Sequence, residues 1–163
     1  MKTITIRDRT RDRYSVLSLG GVWRREVVRG VRALVVGAGA LGNETTKNLA
    51  MLGARWVGVV DRDDVEVANL TRSVFFREED HGRSKATVLT ERLRHLNPDV
   101  TCAPFPGQLD AVLGLGLLRR TEIVLSCVDN RLARRTLNRI CANVGRPWDD
   151  GAMEDLVRTV TTY

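Results

Sequence analysis

Hydrophobic positions along the chain follow two alternating rhythms. Ala33-Leu34-Val35-Val36 is a short apolar run ended by glycine, as expected of a strand buried on both faces. A helix is predicted next, from about Leu41 to Leu52, with Gly53 as its C-terminal cap. Trp56 to Val60 is a second buried strand, ending at the acidic cluster Asp61-Arg62-Asp63-Asp64. After a polar connection, Ser84 is placed to cap a helix whose Ala86, Leu89, Leu93 and Leu96 share one face up to Asn97-Pro98. Val100 to Ala103 and Glu122 to Val128 read as the third and fourth strands. Between the fourth and a fifth strand beginning near Trp148 lies an amphipathic helix, Arg131 to Val144, with Ala133, Leu137, Ile140 and Cys141 on one face and Gly145-Arg146-Pro147 as its stop. Val157 to Thr162 is a further strand. Strands alternating with helices of this length predict an α/β fold: a doubly wound, mostly parallel sheet with helices on both faces. Ligands of such sheets sit at the carboxyl ends of the strands, so chemistry is expected after Val36, Val60 and Cys127.

The length of 163 residues fits a single domain. Within it, residues 1–30 read as an N-terminal arm with short helices, and residues 31–151 as the core. The arm alternates in charge sign from Arg7 to Arg13, and Tyr14 to Gly30 holds two short helical patterns broken at Gly20-Gly21. No apolar run approaches the ~20 residues of a membrane span, and Met1 to Arg13 lacks the apolar stretch of a signal peptide, so a cytoplasmic location is expected. Three cysteines, Cys102, Cys127 and Cys141, have no metal-type spacing and read as free thiols, and His81 and His95 add no cluster; no zinc site is visible. The net charge of +6 is compatible with nucleic acid, an acidic protein or a polyphosphate. It is spread along the chain, and aromatics make up only 5%, which makes a nucleic-acid role the minority reading.

Gly37-Ala38-Gly39-Ala40-Leu41-Gly42 follows a predicted strand and opens a predicted helix, the context in which G-x-G-x-x-G signals a dinucleotide or nucleotide fold of the Rossmann-like kind. Glycine permits the tight turn and lets backbone N–H groups approach a phosphate at the helix N-terminus. Asp61 follows Gly42 by nineteen residues, at the end of the second strand, where a carboxylate can accept ribose hydroxyls. This much indicates an adenine nucleotide without separating ATP from NAD.

The stretch from Asp61 to Arg72 resembles the pattern D-x-D-x-V-x-x-x-N-L-x-R; Lys85 follows, and Cys127-Val128-Asp129-Asn130 ends the fourth strand. The combination resembles the ThiF/MoeB/HesA family, relatives of the ubiquitin-activating enzymes, from about Arg13 to Gly151. The resemblance implies ATP bound without a Walker loop. Gly37, Gly39, Ala40 and Gly42 would form the turn, and Asp61 would hold the ribose, with Asp63 and Asn130 beside the nucleotide. Asn69, Arg72 and Lys85 would meet the phosphates, and Asp129 would coordinate Mg²⁺. Arg13 matches an arginine that family dimers present to the neighbouring subunit's triphosphate, which implies a homodimer or heterodimer.

The chemistry is consistent with that implication. Departing pyrophosphate must be stabilised as the α-phosphate is attacked, and Arg72 and Lys85 supply positive charge. A terminal carboxyl with a pKa of ~3.5 is already ionised and needs no general base. Each residue also has a plainer reading: Arg72 and Lys85 as solvated cations, Asp63 as a turn residue, Arg13 as part of a disordered arm, and Asp129 as the cap of the helix from Arg131. Two departures from the family pattern stand out inside the site, Ser73 where glutamine is usual and Ser84 where proline is common. Members also continue past this point, so the chain reads as C-terminally short, with no apparatus for transfer to an enzyme thiol. The expected function is ATP-dependent adenylation of the C-terminal glycine carboxylate of a ubiquitin-like or sulfur-carrier protein. The alternatives are a non-catalytic subunit pairing with a complete member, carboxylate activation on modified tRNA, and an NAD(P) oxidoreductase, which the residues after Asp61 disfavour.

Overall fold

The computed structural model describes residues 13–17, 23–154 and 157–162, with side chains described through Gly151. The charged arm before Arg13 and the Gly20-Gly21 break lie outside those residues. Among the described residues six strands form one sheet: β1 Arg32–Val36, β2 Trp56–Asp61, β3 Thr101–Pro106, β4 Ile123–Ser126, β5 Trp148–Glu154 and β6 Val157–Thr162. Their order is β3-β2-β1-β4-β5-β6. Every pairing from β3 through β5 is parallel, and β6 closes the far edge antiparallel to β5.

Helices cover both faces, as the alternating pattern predicts. Val35, Val57 and Val59 point to one side, where they pack with Ala50 of α2 (Ala40–Leu52) and Val88, Leu89 and Leu93 of α3 (Lys85–Leu96). Leu34, Val36, Val60, Val124 and Trp148 point to the other, against Leu137 and Cys141 of α6 (Arg131–Val144) and Leu118 of α5 (Leu115–Leu118). Strands buried on both faces explain the unbroken apolar runs. Helix α1 (Arg25–Val28) and helix α4 (Leu109–Val112) are single turns.

The helix ends follow their capping residues. Ser84 accepts the Thr87 N–H at the start of α3, and Gly53 ends α2. Asn130, rather than Asp129, is the cap of α6: its side-chain oxygen accepts the Ala133 N–H at 2.8 Å. The capping reading of Asp129 is therefore corrected by one residue.

Two strand boundaries move. β3 runs on to Pro106 although two prolines follow Ala103. Among the described residues it is an edge strand paired only with β2, so the missing proline N–H groups cost no ladder bond on the open side. β4 ends at Ser126, and Cys127 makes its last bond, N–H to the Val36 carbonyl at 2.7 Å, before the chain turns away. The short helices α4 and α5 are not anticipated by the sequence pattern.

The chain first winds outward from β1 to β2 and β3, then returns to β4 on the other side of β1. That reversal opens a crevice above the carboxyl ends of β1 and β4, the position where such sheets bind ligands. At the opposite end of the sheet, near the amino ends of β2 and β3, buried Asn97 fastens the N-terminal segment. Its amide donates to the Tyr14 hydroxyl and the Ala50 carbonyl, both at 2.7 Å, and its oxygen accepts from Arg13 Nη1 at 2.6 Å.

Candidate nucleotide-binding site

A pocket of about 470 Å³ fills the crevice, within the roughly 300–1,000 Å³ of small-ligand sites. Val36, Gly37, Gly39, Ala40 and Leu41 line it from β1 and the start of α2; Asp61, Arg62 and Asp63 from the end of β2; Asn69, Arg72, Ser73 and Lys85 from the following connection. Cys127 to Asn130 and the first turns of α6 complete it, with Gly107 to Asp110 and Gly151 at its rim.

The glycine turn is held by close backbone packing. Gly37 has φ +100°, a conformation that side-chain-bearing residues rarely adopt, and a Cβ there would lie 2.6 Å from the Cys127 carbonyl oxygen. A Cβ on Gly42 would lie 1.9 Å from the Gly37 carbonyl oxygen. Gly39 differs: it lines the pocket, and a Cβ there would meet nothing within 4 Å. The backbone at Gly39 thus opens onto the cavity, with no side chain capping the N-terminus of α2. This arrangement suits a phosphate.

Asp61 braces that turn. Its Oδ2 accepts the Ala38 N–H at 2.5 Å and its Oδ1 the Asp63 N–H at 2.8 Å. Burial pushes its carboxyl above the ordinary aspartate value, against the opposing pull of the Ala38 and Asp63 N–H groups and the charge of Lys85. Asp63 reaches Lys85, with Nζ 3.6 Å from Oδ2, and Arg62, with Nε 3.3 Å from Oδ1. The backbone adds a clasp: the Lys85 N–H donates to the Asp63 carbonyl at 3.0 Å, and the Val65 N–H to the Arg83 carbonyl at 2.8 Å. Lys85 is thereby returned to the pocket from the far end of the 64–84 excursion.

That excursion has its own anchors. Asp80 is fully buried and bonds Arg83 Nη1, Arg92 Nη2 and the Arg77 N–H. Burial pushes its carboxyl up, but the Arg92 hydrogen bond, the Arg77 N–H and the charge of Arg92 outweigh it and hold the group below its ordinary value. Asn69 turns its oxygen to the Glu66 N–H at 2.9 Å, and Arg72 Nη1 donates to the Ala68 carbonyl at 3.0 Å. Ser73, at the position where the family pattern has glutamine, is buried in the lining.

Two residues that sequence reasoning passed over belong to this structure. Asn43, fully buried in α2, donates to the Ala38 and Gly39 carbonyls and accepts the Phe75 N–H at 3.1 Å. It ties the glycine turn to the loop carrying Arg72. Arg134 lines the pocket, anchored by Asp150 at 3.2 Å and the Val128 carbonyl at 3.1 Å. Its place four residues past the Asn130 cap was a usable signal, because i and i+4 share a helix face.

Asp129 is exposed at the rim. No group of three or more His, Cys, Asp or Glu side chains suited to a metal occurs among the described residues. Magnesium is commonly held by one or two carboxylates together with substrate phosphates, and a single rim carboxylate fits that use. Arg13 does not line the pocket; it lies at the opposite end of the sheet, beside the C-terminus of α3. Burial raises the thiols of Cys102, Cys127 and Cys141 to about 11, so each is protonated at neutral pH. Cys127, expected within a buried strand, lies just past β4 in the pocket floor.

These adjacent aspartate and asparagine roles are separable. Asn130→Ala is expected to lower stability by about 1 kcal/mol through loss of the cap. Asp129→Ala is expected to leave the melting temperature unchanged and weaken magnesium-dependent ATP binding. Melting curves and calorimetry on both variants check the pair; the reverse pattern would restore the capping role to Asp129.

A parallel α/β sheet with a glycine turn, a strand-end carboxylate and a cationic loop at its switch point defines a nucleotide-binding fold. Residues 13–162 match the model of the ThiF family, and the chain belongs to that family. It is 37% identical over 145 residues to the sulfur carrier protein adenylyltransferase of Thermus thermophilus, covering 87% of this chain and 54% of that protein. It is 33% identical over 116 residues to the sulfur carrier protein ThiS adenylyltransferase of Escherichia coli, covering 71% and 46%. With adenylyltransferase and sulfurtransferase MOCS3 of Sus scrofa the identity is 40% over 130 residues, covering 80% and 29%. The chain therefore spans about half of these relatives' length or less. The crystal structure of E. coli MccB with ATP superposes with a TM-score of 0.83 at 21% identity, covering 96% of this chain and 49% of that one, a likeness of fold.

Proposed function

We propose that this chain is an adenylating module that uses ATP to activate the C-terminal carboxylate of a ubiquitin-like or sulfur-carrier protein. The observation carrying this reading is the meeting of Arg72, Lys85 and Asn69 with the glycine turn and Asp61 in one pocket. A hydride-transfer enzyme has little use for such a set of phosphate-directed cations, whereas an acyl-adenylating enzyme must stabilise departing pyrophosphate. The family's named adenylyltransferases support the same reading.

In this proposal the ribose hydroxyls donate to Asp61, whose oxygens retain lone pairs beyond the two backbone bonds. The open N-terminus of α2 receives a phosphate. Asn69, its oxygen already occupied, offers N–H donors, and Arg72 and Lys85 face the β- and γ-phosphates. Magnesium, when bound at Asp129, neutralises phosphate charge. A carrier carboxylate oxygen bonds to the α-phosphorus, the bond from that phosphorus to the bridging oxygen breaks, and pyrophosphate leaves with the electron pair. Lys85 would exchange Asp63 for phosphate as this happens. Arg13, remote from its own pocket, would serve a second subunit's triphosphate in a dimer.

Calorimetry tests the ligand. ATP with magnesium is expected to bind far more tightly than NAD or NADP. Tighter binding of NAD would replace this reading with an oxidoreductase.

A further inference from the structure

Leu132 is 75% exposed, more than any other large hydrophobic side chain among the described residues, and it sits in the pocket rim. An isolated exposed leucine is ordinary, but this one borders an unbalanced charge. Helix α6 carries four arginines and no acidic residue. Arg134 faces inward and pairs with Asp150; Arg131, Arg135 and Arg139 are exposed and make no ion pair among the described residues. By contrast, residues 31–106 hold as many acidic as basic side chains, and several of those are paired. Leu132, Arg135 and Arg139 stand at i, i+3 and i+7, so the apolar side chain and the arginine row form one continuous stripe. The stripe starts at the pocket mouth and runs away from it.

We propose that this stripe is the docking surface for the body of the carrier protein, which meets it with an apolar residue surrounded by acidic side chains. The inference rests on the adenylation reading: a tail that enters the pocket brings its folded domain over the mouth, and Leu132 with the arginines is what the mouth presents there. An apolar anchor ringed by charge is the usual anatomy of a transient interface, and the charges set orientation and encounter rate. A phosphate backbone would satisfy the arginines but would leave Leu132 facing solvent, which is why a protein is the better occupant.

The test begins with ATP–pyrophosphate exchange by the wild-type chain, titrated with a panel of purified bacterial sulfur-carrier proteins ending in Gly-Gly. The carrier that supports exchange is then titrated against Arg135→Glu/Arg139→Glu and against Leu132→Asp. Both variants are expected to raise KM for the carrier about tenfold or more. The arginine variant, remote from the pocket lining, should keep the wild-type KM for ATP and melting temperature. Added salt should raise the carrier KM of the wild type and not that of the arginine variant. Lysine substitutions at acidic positions on the carrier should restore the arginine variant. An unchanged carrier KM in both variants overturns the docking surface and leaves the adenylation reading intact. Absence of exchange with every carrier overturns the adenylation reading and the surface with it. Retention of total tRNA by the wild type but not by the arginine variant would reassign the stripe to RNA.

Discussion

Arg72→Ala and Lys85→Ala should each lower carrier-dependent adenylate formation by about a hundredfold or more, near 3 kcal/mol in the barrier. Negative charge grows on the departing pyrophosphate, and a cation held in place beforehand stabilises it without reorganising solvent. Lys85 is well held: its side chain is only 12% exposed, its N–H is tied to the Asp63 carbonyl, and its ammonium rests against Asp63. Arg72 is exposed and bonded to the carbonyl of Ala68, so its removal should leave stability unchanged. Rates measured at saturating ATP and carrier isolate the barrier from binding. An effect confined to KM for ATP, with kcat intact, would show that these cations bind ground-state phosphate and do nothing further in the transition state.

Gly42→Ala should abolish nucleotide binding and lower stability by about 1–3 kcal/mol or more, as forced overpacking does. The added Cβ would fall 1.9 Å from the Gly37 carbonyl oxygen, a backbone atom that cannot rotate aside. Relief requires the turn to move, and the turn is also fixed by Asp61 through Ala38 and by Asn43 through Ala38 and Gly39. Gly39→Ala supplies the contrast. Its Cβ enters open space in the pocket, so the fold should persist while ATP binding weakens. Melting temperature and calorimetry distinguish the two. A Gly42→Ala protein that binds ATP normally would show that the turn is not the phosphate cradle.

The strands and long helices were legible because their causes are local. A run such as Leu34-Val35-Val36 buries alternate side chains on both faces, and Ser84 and Gly53 bound their helices by capping chemistry alone. The glycine turn and Asp61 were legible for the same reason, since a strand end, a turn and a helix start specify their own neighbourhood. What was hidden depended on tertiary partners. Asn43 looks like any polar helix residue until Phe75 is brought against it from across the fold. Arg134 is one arginine among many until Asp150 of β5 turns it inward. Pro104 and Pro106 argue against a strand unless the strand lies at an edge. Which residue caps α6, Asn130 and not Asp129, hinged on one residue of helical register, which side-chain geometry resolves and composition does not. Arg13, which the pattern places at a triphosphate, bonds Asn97 at the other end of the sheet from the pocket of its own chain.

The adenylation reading is tested most directly by mass spectrometry of a carrier incubated with this chain, ATP and magnesium. A carrier bearing one adenylyl group, the mass of AMP less one water, at its C-terminal glycine is expected, with pyrophosphate released in equal amount. ATP bound at the pocket but no adenylate on any Gly-Gly carrier, with or without a second family subunit, would contradict it.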